Sequence, residues 1–243
     1  MPAINMKSSS LKVKFATTRW SLVASASEPL ETRQKALEEL CKIYWPPLYA
    51  YLRQHGYSQV DAQDLTQSFL LELLTKNSWA KAKSERGRFR SFLLGCLKHF
   101  LSHEREKKQA KKRGGNLLHF RIFQNQGEQY FKTASREPSP EKLYEKAWQL
   151  TVLNQVMERF LEEMQSTQHK IDNIQLLICG LSGKVNYPDM AEQYGISVAA
   201  MRQKVTRLRK RYQLILLEEI NRIVLTPEEV QEEICYLFSL AGH

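Results

Sequence analysis

Apolar residues recur three and four apart through most of the chain, and alternating β-branched runs are scarce, so the pattern predicts an all-α protein. One face of a first helix, from about Ala36 to Gln54, carries Leu37, Leu40/Cys41, Tyr44, Leu48 and Leu52. Pro46-Pro47 falls within it. Proline fits the first turn of a helix but not its interior, so a kink or a break is expected there. Gly56 ends this unit, and Ser58 is the N-cap of a second helix that runs to about Leu74, with Asp61 and Asp64 in its early turns. A third helix is expected from about Gly87 to Lys108, after a polar loop, Thr75 to Arg86, that carries Trp79.

Residues 114–141 combine Gly114-Gly115 with Asn, Gln, Gly and Ser and end at Pro138-Ser139-Pro140, the composition of an interdomain linker. The helical period returns from about Pro140 to Met164, Ile171 to Cys179, Pro188 to Tyr194 and Val198 to Ile223. Thr226, with Pro227 at the first helical position, begins a last amphipathic helix that reaches Leu240. The expected organisation is an N-terminal tail (1–14), a first small helical domain (15–113), the linker (114–141), a second small helical domain (142–225) and a C-terminal amphipathic helix (226–243). A chain of 243 residues accommodates this at ~100–200 residues per domain.

The longest apolar stretches, such as Leu214 to Leu217, fall far short of the ~18 residues that a membrane span requires, and the N-terminus shows no apolar signal core. A cytoplasmic protein without membrane contact is expected. Cys41, Cys96, Cys179 and Cys235 lie far apart, without a CxxC pair or a histidine at zinc-ligand spacing. They are expected to be small buried residues, with no metal and no cofactor.

Charge sharpens this picture. There are 36 Lys+Arg against 26 Asp+Glu, a net +10, and the excess is concentrated in two places. Lys98 to Arg113 holds seven basic residues against Glu104 and Glu106. Arg202 to Arg211 holds six and no acid, whereas Glu218 to Glu233 is rich in glutamate.

The second basic segment lies in YPDMAEQYGISVAAMRQKVTRLRKRY, which has the spacing of a helix-turn-helix. Ala191 is small where two helices cross, Gly195 sits in the turn, and Met190, Tyr194, Ile196 and Met201 pack the pair. Ser197 caps the second helix, whose stripe of Val198, Met201, Val205, Leu208 and Tyr212 is expected to face the core. The opposite side presents Ala199, Ala200, Gln203, Arg207 and Lys210, flanked by Arg202, Lys204, Arg209 and Arg211. Small residues admit such a helix to a major groove, where Gln203 and Lys204 reach base edges and the arginines reach phosphates.

In the first basic segment, Arg86-Gly87-Arg88-Phe89-Arg90-Ser91-Phe92 and then Lys98 to Arg105 interleave aromatics with cations, the combination that stacks unpaired bases and holds their phosphates. Phe89, Phe92/Leu93, Cys96, Phe100 and His103 fall on one side. Aromatics at helical spacing are ordinarily core, so two of the three phenylalanines are assigned there, and Trp79, His99 and His103 are the exposed candidates. Asp61, Asp64, Ser68 and Glu72 make one polar stripe on the preceding helix, beside Leu65, Phe69 and Leu73.

The strings FATTRWSLV, YWPPLYAY, DLTQSF, RGRFRSFLL and KRGG, in this order and followed by the helix-turn-helix and TPEEVQEEICYLFSL, resemble a branch of the bacterial RNA polymerase sigma factors of the extracytoplasmic-function type. The resemblance covers nearly the whole chain. It implies a sigma region 2-like bundle and a region 4-like helix-turn-helix domain, a non-enzymatic role in promoter recognition and melting, and partners in the polymerase core, namely the clamp helices of the largest subunit and the flap of the second-largest. Promoter DNA and an anti-sigma factor are the further partners that it implies.

By that resemblance Asp61, Asp64, Leu65, Gln67, Phe69 and Glu72 bind the polymerase core, with Ser68 where relatives often carry glutamate. Trp79, Arg88, Arg90, Lys98, His99, His103 and Arg105 meet the single-stranded downstream element. Relatives have Trp, Asn and Asp where this chain has Phe92, His99 and His103, so base preference does not carry over. Ser197, Ala199, Ala200, Arg202, Gln203, Lys204 and Arg207 face the upstream duplex element.

Three other classes compete. A stand-alone helix-turn-helix regulator would bind duplex DNA as a symmetric dimer. A nuclease or recombinase would need convergent carboxylates, and Asp61, Asp64 and Glu72 face outward from a single helix. A pure interaction module would work through the C-terminal helix, whose Tyr236, Leu237, Phe238 and Leu240 are instead expected to dock on the adjacent domain.

Overall fold

A computed structural model of the chain describes residues 30–75, 88–110, 128–129, 131–133, 139–164, 170–182, 185–224 and 227–240. Among them there is no strand, and the protein is all-α. The helices are α1 (Leu30–Gln54), α2 (Gln59–Thr75), α3 (Phe89–Ala110), α4 (Pro140–Met164), α5 (Lys170–Ser182), α6 (Tyr187–Gln193), α7 (Val198–Ile223) and α8 (Pro227–Leu240). No helix among the described residues is long and apolar enough to cross a membrane.

The helix boundaries follow local chemistry. At the start of α2 the Ser58 hydroxyl accepts the Asp61 N–H at 3.1 Å and donates to the Asp61 carboxylate at 2.6 Å, which satisfies one of the orphan donors of the first turn. Gly56, at φ +86°, closes α1: its N–H bonds the Arg53 carbonyl, and the N–H of Tyr57 reaches back to Leu52. Gly195, at φ +61°, does the same after α6, through Glu192 and Ala191. Both are Schellman closures, whose left-handed position favours glycine.

Pro46 and Pro47 lie inside α1 and do not divide it. Each removes a helical hydrogen bond at a cost of ~3 kcal/mol in an ordinary interior. Here every residue from Ile43 to Leu52 is buried, so packing on all sides of the helix offsets that loss.

Two compact units result, and the division between them falls inside helices. One comprises the described residues of 16–152 and 220–243, and the other those of 153–219. Thus α4 and α7 each contribute to both. In the first unit Tyr44 and Phe89 join α1 to α3 at 5.3 Å between ring centroids, and Phe69 and Phe100 join α2 to α3 at 5.6 Å. Part of the expected linker is anchored here as well. Glu128 accepts hydrogen bonds from the Tyr49 hydroxyl (2.5 Å) and Arg53 (3.1 Å), while Phe131 packs against Ala50, Leu143 and Ala147 under the Arg53 guanidinium.

In the second unit Phe160, Leu176, Leu177, Ala191, Met201, Val205 and Tyr212 form the core. Gly180 of α5 sits so close to α7 that a Cβ would lie 2.8 Å from Val205 Cγ1. The cysteines depart from expectation: Cys41, Cys96 and Cys179 are half-buried and Cys235 is exposed, because the helix faces that carry them point partly away from the cores.

Gly180→Ala should destabilise the second unit by about 1–3 kcal/mol, since Val205 is β-branched and yields poorly, and a lowered urea midpoint would register it. Burial raises the Glu128 carboxyl, but hydrogen bonds from Arg53 and Tyr49 outweigh it and hold the group below its ordinary value of 4.5. The anchor is therefore complete above that pH and is lost as pH falls through the lower folded-state value. Amide protection at Phe131 should stay level from neutrality to the ordinary carboxylate range and drop below it.

Candidate nucleic-acid interface

The exposed face of α7 is built by its entry. Gly195 turns the chain, the Ser197 hydroxyl accepts the Ala200 N–H at 3.2 Å, and the buried side of Met201, Val205, Leu208 and Tyr212 orients the helix. Ser197, Ala199, Ala200, Arg202, Gln203 and Arg207 are left exposed, and Lys204 half-buried. Val198 and Ile196, expected in the core, are 37% and 38% exposed, because the turn lifts the first residues of α7 off the packed stripe.

The cations of this helix divide by what they touch. Arg211 makes a two-point bond to Glu163 of α4, at 2.5 and 2.6 Å, which raises the arginine and lowers the glutamate. The Arg209 stem lies along Gly180. Arg202 and Lys204 lie over the rings of Tyr187 and Tyr194, each at 5.4 Å, which limits their rotamers while leaving charge outward. Beside them a groove of about 620 Å³ is lined by Met164, Ile196, Ala200, Gln203, Arg207 and Leu208, among others.

The face of α3 is more mixed. Phe89 and Phe100 are core, as two of the three phenylalanines were expected to be, and Phe92 is half-buried. His99 and His103 are exposed with ring centroids 4.5 Å apart, and His103 Nδ1 lies 3.5 Å from the Glu106 carboxylate. Lys98 is exposed but pairs with Glu141 at 2.8 Å, and Arg105 is exposed. Trp79 lies outside the described residues.

Arg90 corrects the sequence reading. It is 2% exposed and, with α8 seated against it, presents nothing to a strand. Its guanidinium binds Glu145 of α4 at 2.5 Å and Glu233 of α8, and lies between the rings of Trp148 (4.3 Å) and Tyr236 (4.6 Å). The Tyr144 hydroxyl donates to the Arg90 carbonyl at 2.9 Å. Burial opposes the Arg90 charge, but the two carboxylates outweigh it and raise the group. Burial also raises the Glu233 carboxyl, against the attraction of Arg90 and Arg88. Arg88 is half-exposed, 3.7 Å from Glu233, with its guanidinium over Tyr236 at 4.8 Å. Hence α8 docks in the first unit, where Gln149 also donates to the Leu237 carbonyl at 2.5 Å.

On α2, Asp61 is exposed, and Asp64 and Glu72 are half-buried. Leu65, Gln67 and Phe69 are buried, so the accessible face of this helix does not include them. Val60 and Leu71 of the same helix are 65% and 46% exposed, apolar surface that the helical pattern by itself does not mark out. Among the described residues no three His, Cys, Asp or Glu side chains group to hold a metal ion. The chain matches no family model, and neither curated proteins nor solved structures yield a match.

Arg90→Met would leave buried Glu233 and half-buried Glu145 facing an uncharged side chain, at a cost of about 3–5 kcal/mol. Exposed Arg202→Ala should change stability by no more than about 0.5 kcal/mol. Chemical denaturation of the two variants side by side checks the contrast.

Proposed function

We propose that the protein is a transcription initiation factor of the sigma type, which joins RNA polymerase core, reads an upstream promoter element as duplex and stabilises a downstream element as a single strand. The observation that carries this reading is the exposed face of α7. Small Ala199 and Ala200, then Arg202, Gln203 and Arg207, project outward from a helix that starts directly after the Gly195 closure. A small-residue entry lets a helix approach base edges, and long cations behind it reach the phosphates.

The α3 face supports the second activity through Lys98, His99, His103, Arg105 and the half-exposed Arg88, with Arg90 removed from the set. Capture of unpaired bases favours the melted promoter by differential affinity, without catalysis. For the polymerase contact, α2 offers Asp61, Asp64 and Glu72 beside exposed Val60 and Leu71, a charged rim around apolar surface. The two units of the fold correspond only in part to the region 2-like and region 4-like domains of this reading.

Transcription in vitro with purified core polymerase on genomic fragments is the deciding experiment. Promoter-specific transcripts that require this protein are expected, and failure to associate with core would leave a stand-alone duplex-binding regulator. Asp64→Arg should weaken core capture and leave the fold intact. Arg202→Ala and Arg207→Ala should each weaken duplex binding across sequences and lower the salt slope by about 1.

A further inference from the structure

The contact between α8 and the start of α3 has the chemistry of a bound nucleotide. Glu233 brings a carboxylate to Arg90 and within 3.7 Å of Arg88, while Tyr236, one turn on, lays its ring against both guanidiniums at 4.8 and 4.6 Å. An anion beside a flat ring is what a nucleotide of a single strand offers as phosphate and base. Beneath them the indole of Trp148 backs the Arg90 guanidinium at 4.3 Å, so the guanidinium face that Tyr236 covers is the one on which a base would stack.

The seat is also charge-balanced only with α8 in place. Arg88 and Arg90 face Glu145 and Glu233; without Glu233, two cations face one carboxylate, and the seat becomes an anion site. The fit of the occupant is incomplete, since Glu233 Oε2 is buried without a hydrogen-bond partner. A phosphate, with more acceptor oxygens than a carboxylate, satisfies two guanidiniums better.

We propose that Arg88 and Arg90, the latter backed by Trp148, form a nucleotide subsite for single-stranded nucleic acid, occupied in cis by Glu233 and Tyr236 of the C-terminal helix. This rests on the reading of α3 as a single-strand binder. A strand that reaches the site displaces α8, so the helix sets the threshold for strand capture and the strand, by reciprocity, loosens the helix.

Hydrogen exchange on the full chain, with and without a saturating oligothymidylate, tests the exchange of occupants directly. Amides of 227–240 should lose protection when the strand binds; unchanged or increased protection there, with residues 89–106 protected by the strand, overturns the proposal and leaves the α3 reading standing. A chain ending at Val224 gives the second measurement. It should bind the oligonucleotide more tightly and with a salt slope steeper by roughly 1.4, at ~0.7 per phosphate for two arginines. Raising salt fourfold would then cost the shortened chain about sevenfold more affinity than the full chain. Equal affinity and slope in a folded truncation also overturn it, and if the truncation does not fold, the exchange experiment alone decides. A strand that binds neither chain sinks the α3 reading and this inference together.

Discussion

A guanidinium held away from water organises the first unit. An unpaired charge in a protein interior costs several kcal/mol, so Arg90 requires partners, and its neighbours along α3 provide none. They come from Glu145 and Trp148 on α4 and from Glu233 and Tyr236 on α8, so one cation ties three helices together across 55 and 143 residues of sequence. The same requirement explains why the beginning of α4 and all of α8 belong to this unit, and why its boundary cuts through α4 and α7. The anchoring of Glu128 and Phe131 on α1 follows a similar logic, with Arg53 and Tyr49 supplying the polar partners.

The second unit sorts its basic residues by different means. Arg211 is drawn inward by Glu163, and Arg159 binds Glu218 and Glu219 from α4, so two of the glutamates beyond the basic run neutralise an arginine of their own unit. Close approach at Gly180 brings α5 against α7 and lays the Arg209 stem over it. What is left outward is a shorter and more selective face than six cations within 202–211 suggest.

Function and fold meet at the two ends of α3. Its C-terminal half leaves cations and imidazoles in solvent, while its start is committed to α8. A basic helix thus has a part open to solvent and a part that is already satisfied within the chain. The acidic face of α2 is similarly narrower than its sequence stripe, because Leu65, Gln67 and Phe69 supply the core while Val60 and Leu71 do not.

Taken alone, the sequence determined the features that depend on neighbours a few residues apart. The bounds of α4, α7 and α8, the caps at Ser58 and Ser197, the glycine turns at 56 and 195, and the outward Ala199–Arg207 face all follow from helical period and capping chemistry. Tertiary structure decided the rest. That Pro46-Pro47 leaves α1 whole, that Arg90 is buried against α4 and α8 instead of lying open on α3, and that the C-terminal helix joins the first unit are consequences of contacts between distant segments. The physical reason is that burial and charge compensation are properties of what surrounds a side chain, and a local pattern carries no information about which remote partner will arrive.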